Sequence, residues 1–148
     1  MKIMGNIADD VNSRFDNNKV KVLINILFTA GWITNKQNAF FKPFGISPQQ
    51  YNILRILKGA GEPLKAQTVK DRMIERAPNA TRLMDKLSAK QLIERVPCDH
   101  DRRVVYIHIT KDGLALIKEI SADLNMDFLE NLSENEAGQL SDLLDKLR

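Results

Sequence analysis

Apolar residues fill one long stretch of this chain in a pattern that indicates a helix without a polar face. Between residues 19 and 41 they lie around most of a helical circumference; they are Val20, Val22, Leu23, Ile24, Ile26, Leu27, Phe28, Trp32, Ile33, Phe40 and Phe41. Such a helix has to be covered on several sides, and a chain of 148 residues is too small to surround it alone. The pattern therefore predicts that a second subunit supplies part of the cover.

Capping signals divide the following residues into shorter helices. Residues 47–50, Ser-Pro-Gln-Gln, form a capping box with proline at the first helical position, and the predicted helix stops at the glycines of residues 59–61. A short helix is predicted over residues 64–73. Pro78 is predicted to open the next helix, which runs to about Lys90.

The last third of the chain changes from strand to helix periodicity. Residues 93–96 and 104–109 are rich in β-branched side chains and predict a hairpin. Thr110 is predicted to cap a long helix with apolar residues three and four apart, namely Leu114, Ile117, Ile120, Leu124, Phe128 and Leu129. Ser133 and Glu136 form a second capping box, which opens a last helix. The fold class is therefore mainly α (α+β), with four helices, a hairpin and two helices.

Composition narrows the class of protein. The chain is 43% hydrophobic and 28% charged, and its net charge of +3 combines a basic excess over residues 1–110 with an acidic segment over residues 111–148. The single cysteine excludes an intrachain disulfide. One cysteine and two histidines are too few ligands for a zinc or iron–sulfur site within one chain, so no metal or cofactor is expected. No secretory signal and no apolar run of membrane-spanning length is found, which predicts a cytoplasmic protein without a membrane partner.

The predicted helix before the hairpin has one cationic side. Asn79, Arg82 and Lys86 fall within roughly 60° of one another on a helix, beside an apolar arc. Arginine pairs well with guanine and asparagine with adenine, which favours DNA reading. The alternative is an ordinary solvated helix face. The candidate DNA-binding residues of this helix are Pro78, Asn79, Thr81, Arg82 and Lys86.

The hairpin carries a second group of candidate DNA contacts. Asp101, Arg102 and Arg103 lie between its two strands, where a hairpin tip can project an arginine into the minor groove. Which arginine points outward stays open. Charged hairpin tips also occur on proteins that do not touch DNA, so this group gains weight only from the helix that precedes it.

The order of elements and four motifs resemble the MarR family of bacterial transcriptional regulators. The motifs are Ala-Thr-Arg-Leu-Met-Asp-Lys-Leu at 80–87, Leu-Ile-Glu-Arg at 92–95, Asp-Arg-Arg at 101–103 and Ile-Thr-Lys-Asp-Gly at 109–113. The resemblance covers nearly the whole chain. It implies a single MarR-type domain over residues 1–148, with a winged helix-turn-helix lobe at 46–110 and dimerisation helices at 19–45 and 111–148. It also implies that Asp101 and packing at the wing base hold Arg103, which leaves Arg102 freer to reach DNA.

The chain departs from the family pattern at the end of the reading helix. The family usually has glycine where Gln91 stands, and a left-handed residue at that place costs a non-glycine side chain ~1 kcal/mol. The turn is therefore expected to be shaped differently here. Some members of the family also sense peroxides through a cysteine in the first helix, but here that helix has none, so Cys98 is interpreted as a wing residue.

The resemblance further implies an effector pocket between the dimer helices and the DNA-binding lobe, often filled by small aromatic or phenolic acids. Aromatic walls and cationic anchors would suit a carboxylate, and the candidate ligand-binding residues are Trp32, Lys36, Phe40, Tyr51 and Arg55. The alternative is that the aromatic residues are plain core.

The expected function is a homodimeric repressor that binds a pseudo-palindromic double-stranded DNA operator and is released by a small anionic aromatic ligand. The alternative is a winged-helix protein-interaction module without a ligand response. No catalytic motif nominates a reaction, so the protein is not expected to be an enzyme.

Overall fold

The computed structural model describes residues 5–75, 78–124 and 127–148. The α-helices are α1 (Ile7–Asp10), α2 (Asn18–Phe41), α3 (Pro48–Ala60), α4 (Ala66–Arg72), α5 (Ala80–Ala89), α6 (Lys111–Asp123) and α7 (Glu134–Leu147). The strands are β1 (Leu64–Lys65), β2 (Ile93–Pro97) and β3 (Val105–Ile109). Single 3-10 turns lie at Lys42–Phe44 and Asp127–Leu129. The predicted mainly α fold with one hairpin is confirmed.

Side-chain caps start α3 and α7 where the sequence predicts them. The Ser47 hydroxyl accepts from the Gln50 amide, and the Gln50 side chain accepts from the Ser47 amide at 2.9 Å. Ser133 and Glu136 repeat this arrangement at the start of α7. The hydrogen bonds from the Ser133 backbone and hydroxyl lower the pKa of the Glu136 carboxyl. Both predicted capping boxes are therefore confirmed.

The core is built where α3, α4, α5 and α6 pack on a three-stranded sheet. Its fully buried side chains come from every one of these elements and are Ile53, Leu54, Leu57, Val69, Met84, Leu87, Ile93, Ile107, Ile117 and Ile120. Helix α5 and the hairpin therefore share one core. No helix within the described ranges is long and apolar enough to cross a membrane.

The sheet has the order β1-β3-β2, with both pairings antiparallel. The prediction of a helix from residue 64 was wrong at its start, because Leu64 and Lys65 pair with Ile107 and Tyr106 before α4 begins at Ala66. Leu64 is buried in this pairing. A short strand therefore attaches α4 to the wing sheet.

The long helix predicted after the hairpin is interrupted. α6 ends at Asp123, and Leu124 leaves the helical conformation with a ψ of 104°. Phe128, predicted to continue the helix, lies instead in a 3-10 turn, where its ring contacts Trp32 edge-on with 6.0 Å between the centroids. Packing against α2 thus replaces continuation of the helix. Residues 125–126 lie outside the described residues.

The turn after α5 keeps the left-handed conformation despite its glutamine. Gln91 has a φ of 59°, and its amide donates to the Ser88 carbonyl at 2.9 Å while the Leu92 amide donates to the Leu87 carbonyl at 3.0 Å. These two bonds form a Schellman motif. The expected change in the shape of the turn is therefore wrong, because the glutamine adopts the left-handed conformation that glycine usually provides.

The start of α6 lies directly against this turn. The Thr110 hydroxyl donates to the Gln91 carbonyl at 2.7 Å, and the Thr110 amide donates to the Leu92 carbonyl at 3.1 Å. A Cβ at Gly113 would lie 2.3 Å from the Leu92 oxygen, so no larger residue fits there without a shift. The Thr-x-x-Gly motif therefore joins the wing lobe to the C-terminal helices.

Candidate nucleic-acid interface and adjoining cavity

Helix α5 separates its buried and exposed sides as the sequence predicts. Ala80, Met84 and Leu87 are buried in the core, and Leu83 packs against it. The exposed residues include all five candidate DNA contacts of this segment, which are Pro78, Asn79, Thr81, Arg82 and Lys86. The helix therefore presents its cations and its amide to solvent, while contact with DNA stays a prediction.

The helix begins two residues later than predicted. Pro78 lies in the preceding turn, and Asn79 is the N-cap residue, with φ −102° and ψ 21°. Within the described part of the chain, the Asn79 side chain makes no capping hydrogen bond. Its amide is therefore not committed to the helix terminus.

A buried amide connects α5 to α3. Gln50 in α3 is only 5% exposed, and its Nε2 donates to the Leu83 carbonyl at 3.5 Å while its Oε1 accepts from the Ser47 amide. The same side chain thus completes the capping box of α3 and hydrogen-bonds the backbone of α5. A buried polar group needs such partners, so its position depends on both helices.

The wing tip is ordered by Asp101. One carboxylate oxygen accepts from the Arg103 amide at 3.0 Å and lies 3.3 Å from the Arg103 Nε. The expected hold on Arg103 by this carboxylate is therefore present. The expected packing at the wing base is wrong, because the Arg103 side chain is 92% exposed. Both Arg102 and Arg103 face solvent, so the structure does not single out one of them.

Arg95 in β2 joins the wing to α5, and the sequence analysis assigned it no role. Its Nη1 lies 2.5 Å from an Asp85 carboxylate oxygen, and its Nη2 donates to the Thr81 carbonyl at 3.2 Å. Both partners belong to α5. The available signal was the motif itself, since Asp85 and Arg95 lie in two of the four segments that resemble the family.

A cavity of about 930 Å³ lies between α2, α3 and the segment after α6. It brings together all five candidate ligand-binding residues, which are Trp32, Lys36, Phe40, Tyr51 and Arg55. The Lys36 ammonium lies 5.6 Å from the centre of the Trp32 ring. The Tyr51 ring packs on the Phe41 ring, with 4.7 Å between the ring centroids. The cavity thus combines aromatic walls with two cations, while ligand binding stays a prediction.

One wall of the cavity was missed by the sequence analysis. It consists of the residues after α4, including Ile74 and Glu75, which precede the N-cap of α5. The Ile74 amide donates to the Asn52 side-chain oxygen at 3.0 Å, and Gln49 Nε2 donates to a Glu75 carboxylate oxygen at 3.4 Å. Two side chains of α3 therefore hold the segment that leads into α5.

A helix pair with an exposed cationic second helix, followed by an antiparallel hairpin, defines a winged helix-turn-helix protein. The model of the MarR family matches residues 44–104, which span the lobe from α3 into the wing. The transcriptional repressor MdtR of Bacillus subtilis is 35% identical over 107 residues, covering 70% of this chain and 68% of the relative.

Solved structures agree with this match. A MarR transcription factor from Planctomyces limnophilus is 30% identical, with a TM-score of 0.64 over 90% of this chain and 95% of its own. A mutant of Escherichia coli MarR complexed with operator DNA is 23% identical and shares the fold, with a TM-score of 0.75 over 90% of this chain and 99% of its own. The chain belongs to the MarR family of transcriptional regulators.

Proposed function

We propose that the protein is a homodimeric transcriptional repressor that binds a pseudo-palindromic DNA operator through α5 and the wing. The carrying observation is the exposed group of Asn79, Arg82 and Lys86 on a helix whose opposite side is buried. A helix fits the major groove, and an arginine-bearing hairpin beside it fits the minor groove. The operator complex of the E. coli relative and the repressor MdtR support this proposal.

The terminal helices support a dimer. Leu23 and Leu27 in α2 are 54% and 62% exposed, and Leu143 and Leu147 in α7 are 65% and 66% exposed. Exposed apolar side chains in such numbers mark a surface that is buried in an assembly. A second copy of the chain placed by a twofold axis would cover them and would present two lobes to two half-sites.

The cavity supports a small anionic aromatic effector. Its volume of about 930 Å³ lies within the range for small-molecule sites. Arg55 offers a guanidinium that can bind a carboxylate through two hydrogen bonds, and the rings of Trp32 and Tyr51 offer flat apolar surfaces. An aromatic acid would therefore satisfy both the charged and the apolar parts of the lining.

The wall of the cavity suggests how an effector would release DNA. Ile74 and Glu75 line the cavity and lie only a few residues before Asn79, the N-cap of α5. An effector that displaces this wall would shift the start of the reading helix. Release follows only if the effector binds the displaced state more tightly than the DNA-competent state.

The test of DNA binding is Arg82→Ala on an operator selected from genomic fragments. Loss of one base or phosphate contact should weaken binding by about tenfold or more, with the oligomeric state unchanged. Lys118→Ala, which removes an exposed cation from α6, is the matched control and should bind as the wild type does. Unchanged affinity of the Arg82 variant would remove α5 from the reading role.

The test of the effector uses benzoate as probe and neutral benzamide as its uncharged match. Benzoate should release operator from the wild type but not from Arg55→Gln, and benzamide should release operator from neither protein. The Arg55 variant should keep its DNA affinity, since Arg55 lines the cavity and not the exposed side of α5. Equal effects of both compounds would contradict a carboxylate-binding site.

A further inference from the structure

We infer that Arg95 is a positioning residue for DNA reading, which fixes the recognition helix α5 to the wing. The inference rests on the proposed DNA-binding function. One guanidinium bonds the Asp85 carboxylate at 2.5 Å and the Thr81 carbonyl at 3.2 Å, so a single side chain of β2 holds two points on α5. The planar guanidinium is suited to this because its donors are fixed relative to one another.

The two points define more than a simple attachment. The two acceptors differ in kind, because Asp85 offers its side chain whereas Thr81, four residues earlier, offers the backbone carbonyl that points along the helix toward Asp85. A bond to the Asp85 side chain alone would let α5 shift as that side chain changes rotamer, whereas the second bond holds the helix backbone itself. The buried side of α5 consists of apolar residues, whose contacts are non-directional and specify rotation less strictly.

The same geometry argues against a direct DNA contact by Arg95. Its charge is already paired with Asp85, and both of its terminal guanidinium nitrogens are bonded to α5. In the hairpin it lies opposite Ile107, inside the paired part of the wing and not at its tip. Because Asp85 is 54% exposed, the pair contributes little to folding stability. The effect of the pair should therefore appear in DNA affinity more than in unfolding.

Asp85 provides the sharpest test, because two interpretations of its role predict opposite changes in operator affinity when it is replaced. As a plain surface carboxylate beside phosphates it would repel DNA, and Asp85→Ala would tighten binding. As the anchor of Arg95 it should be required, and we expect Asp85→Ala to weaken operator binding by about fivefold to tenfold. Glu94→Ala, which removes the exposed carboxylate beside Arg95, is the matched control and should leave binding equal or tighter.

Three further variants complete the test on the intact protein. Arg95→Gln should weaken binding as much as Asp85→Ala does, and the double variant should lose no more than either single variant. Arg95→Lys, which keeps the charge but not the two-point geometry, should fall between Arg95→Gln and the wild type. The slope of log affinity against log salt should stay at the wild-type value for Arg95→Gln, because no phosphate contact is lost. Unfolding midpoints should stay within about 3 °C.

Several outcomes would overturn this inference alone. The first is tighter operator binding by Asp85→Ala than by the wild type. The second is a double variant whose loss of affinity equals the product of the two single losses. The third is a slope of log affinity against log salt that is shallower by about one for Arg95→Gln than for the wild type. A wild-type protein that ignores duplex DNA would instead overturn the proposed function. The two failures are therefore distinguished by the wild-type measurement.

Discussion

The DNA-binding lobe and the terminal helices treat their apolar residues in opposite ways. In the lobe, Leu54, Leu87 and Ile107 are completely buried. In α2 and α7, Leu27 and Leu143 are 62% and 65% exposed, although these helices are equally regular. The lobe therefore forms its core within one chain, whereas the terminal helices leave apolar surface exposed, which the proposed dimer would cover. Four predictions test this contrast.

The largest effect is expected in the lobe core. Leu87→Ala should lower the free energy of unfolding by about 3 kcal/mol, because it removes fully buried methyl groups and leaves a cavity. Urea unfolding measures it. Ile74→Ala is the control, since Ile74 is 86% exposed, and it should change stability by less than about 0.5 kcal/mol. Equal effects of the two variants would contradict a self-contained lobe core.

A charge on the exposed apolar surface of α2 should act on assembly instead. Leu27→Asp should raise the dimer dissociation constant by about 100-fold, because a buried unpaired carboxylate at an interface is costly. Sedimentation over a dilution series measures it, with helical content as the check on folding. Asn35→Asp places the same charge at an exposed polar position of α2 and should leave the dimer intact. A Leu27 variant that remains dimeric at every dilution would exclude this surface from the interface.

The junction between the two regions should tolerate little added volume. Gly113→Ala should lower the free energy of unfolding by about 2 kcal/mol, because its Cβ would meet the Leu92 carbonyl at 2.3 Å. Gly138→Ala in α7 is the matched control, since a Cβ there meets nothing within 4 Å. It should be neutral or slightly stabilising, as alanine favours helix over glycine. Denaturant unfolding of both variants measures these changes in stability. A Gly113→Ala variant as stable as the wild type would contradict the close packing of α6 on the turn.

The smallest effect is expected at the strained turn. Gln91→Gly should raise the free energy of unfolding by up to ~1 kcal/mol, because glycine adopts a φ of 59° without a Cβ penalty. Gly61→Ala is the reverse control, since Gly61 has a φ of 66° in open space and should lose stability by a similar amount. Thermal unfolding of the two variants should therefore shift in opposite directions. A destabilised Gln91→Gly would mean that the glutamine side chain contributes more than its strain removes.

Much of this fold follows from local sequence, and the exceptions have a common cause. The capping boxes and the apolar side of α5 were predictable because they depend on residues three or four positions apart. β1 was missed because two residues have no periodicity, and their strand conformation comes from pairing with β3 some forty residues later. The break after Asp123 was missed because the apolar spacing continues across it.

The candidate site was predictable to a similar extent. The exposed cations of α5 and the five cavity residues could be identified one by one from residue type and resemblance. The contacts between elements could not, because Arg95 meets Asp85 and Asn52 meets the Ile74 amide only after the chain has folded. Such links join residues that are far apart in the chain, and no sequence spacing indicates which residues meet.

The most direct measurement is the mass of the complex formed with a selected operator duplex, obtained by sedimentation in dilute buffer. Two lobes held by shared apolar helices should give two chains bound to one pseudo-palindromic duplex, and the complex should dissociate steeply as salt is raised. One chain per duplex, or no complex with any genomic fragment, would contradict a dimeric DNA reader.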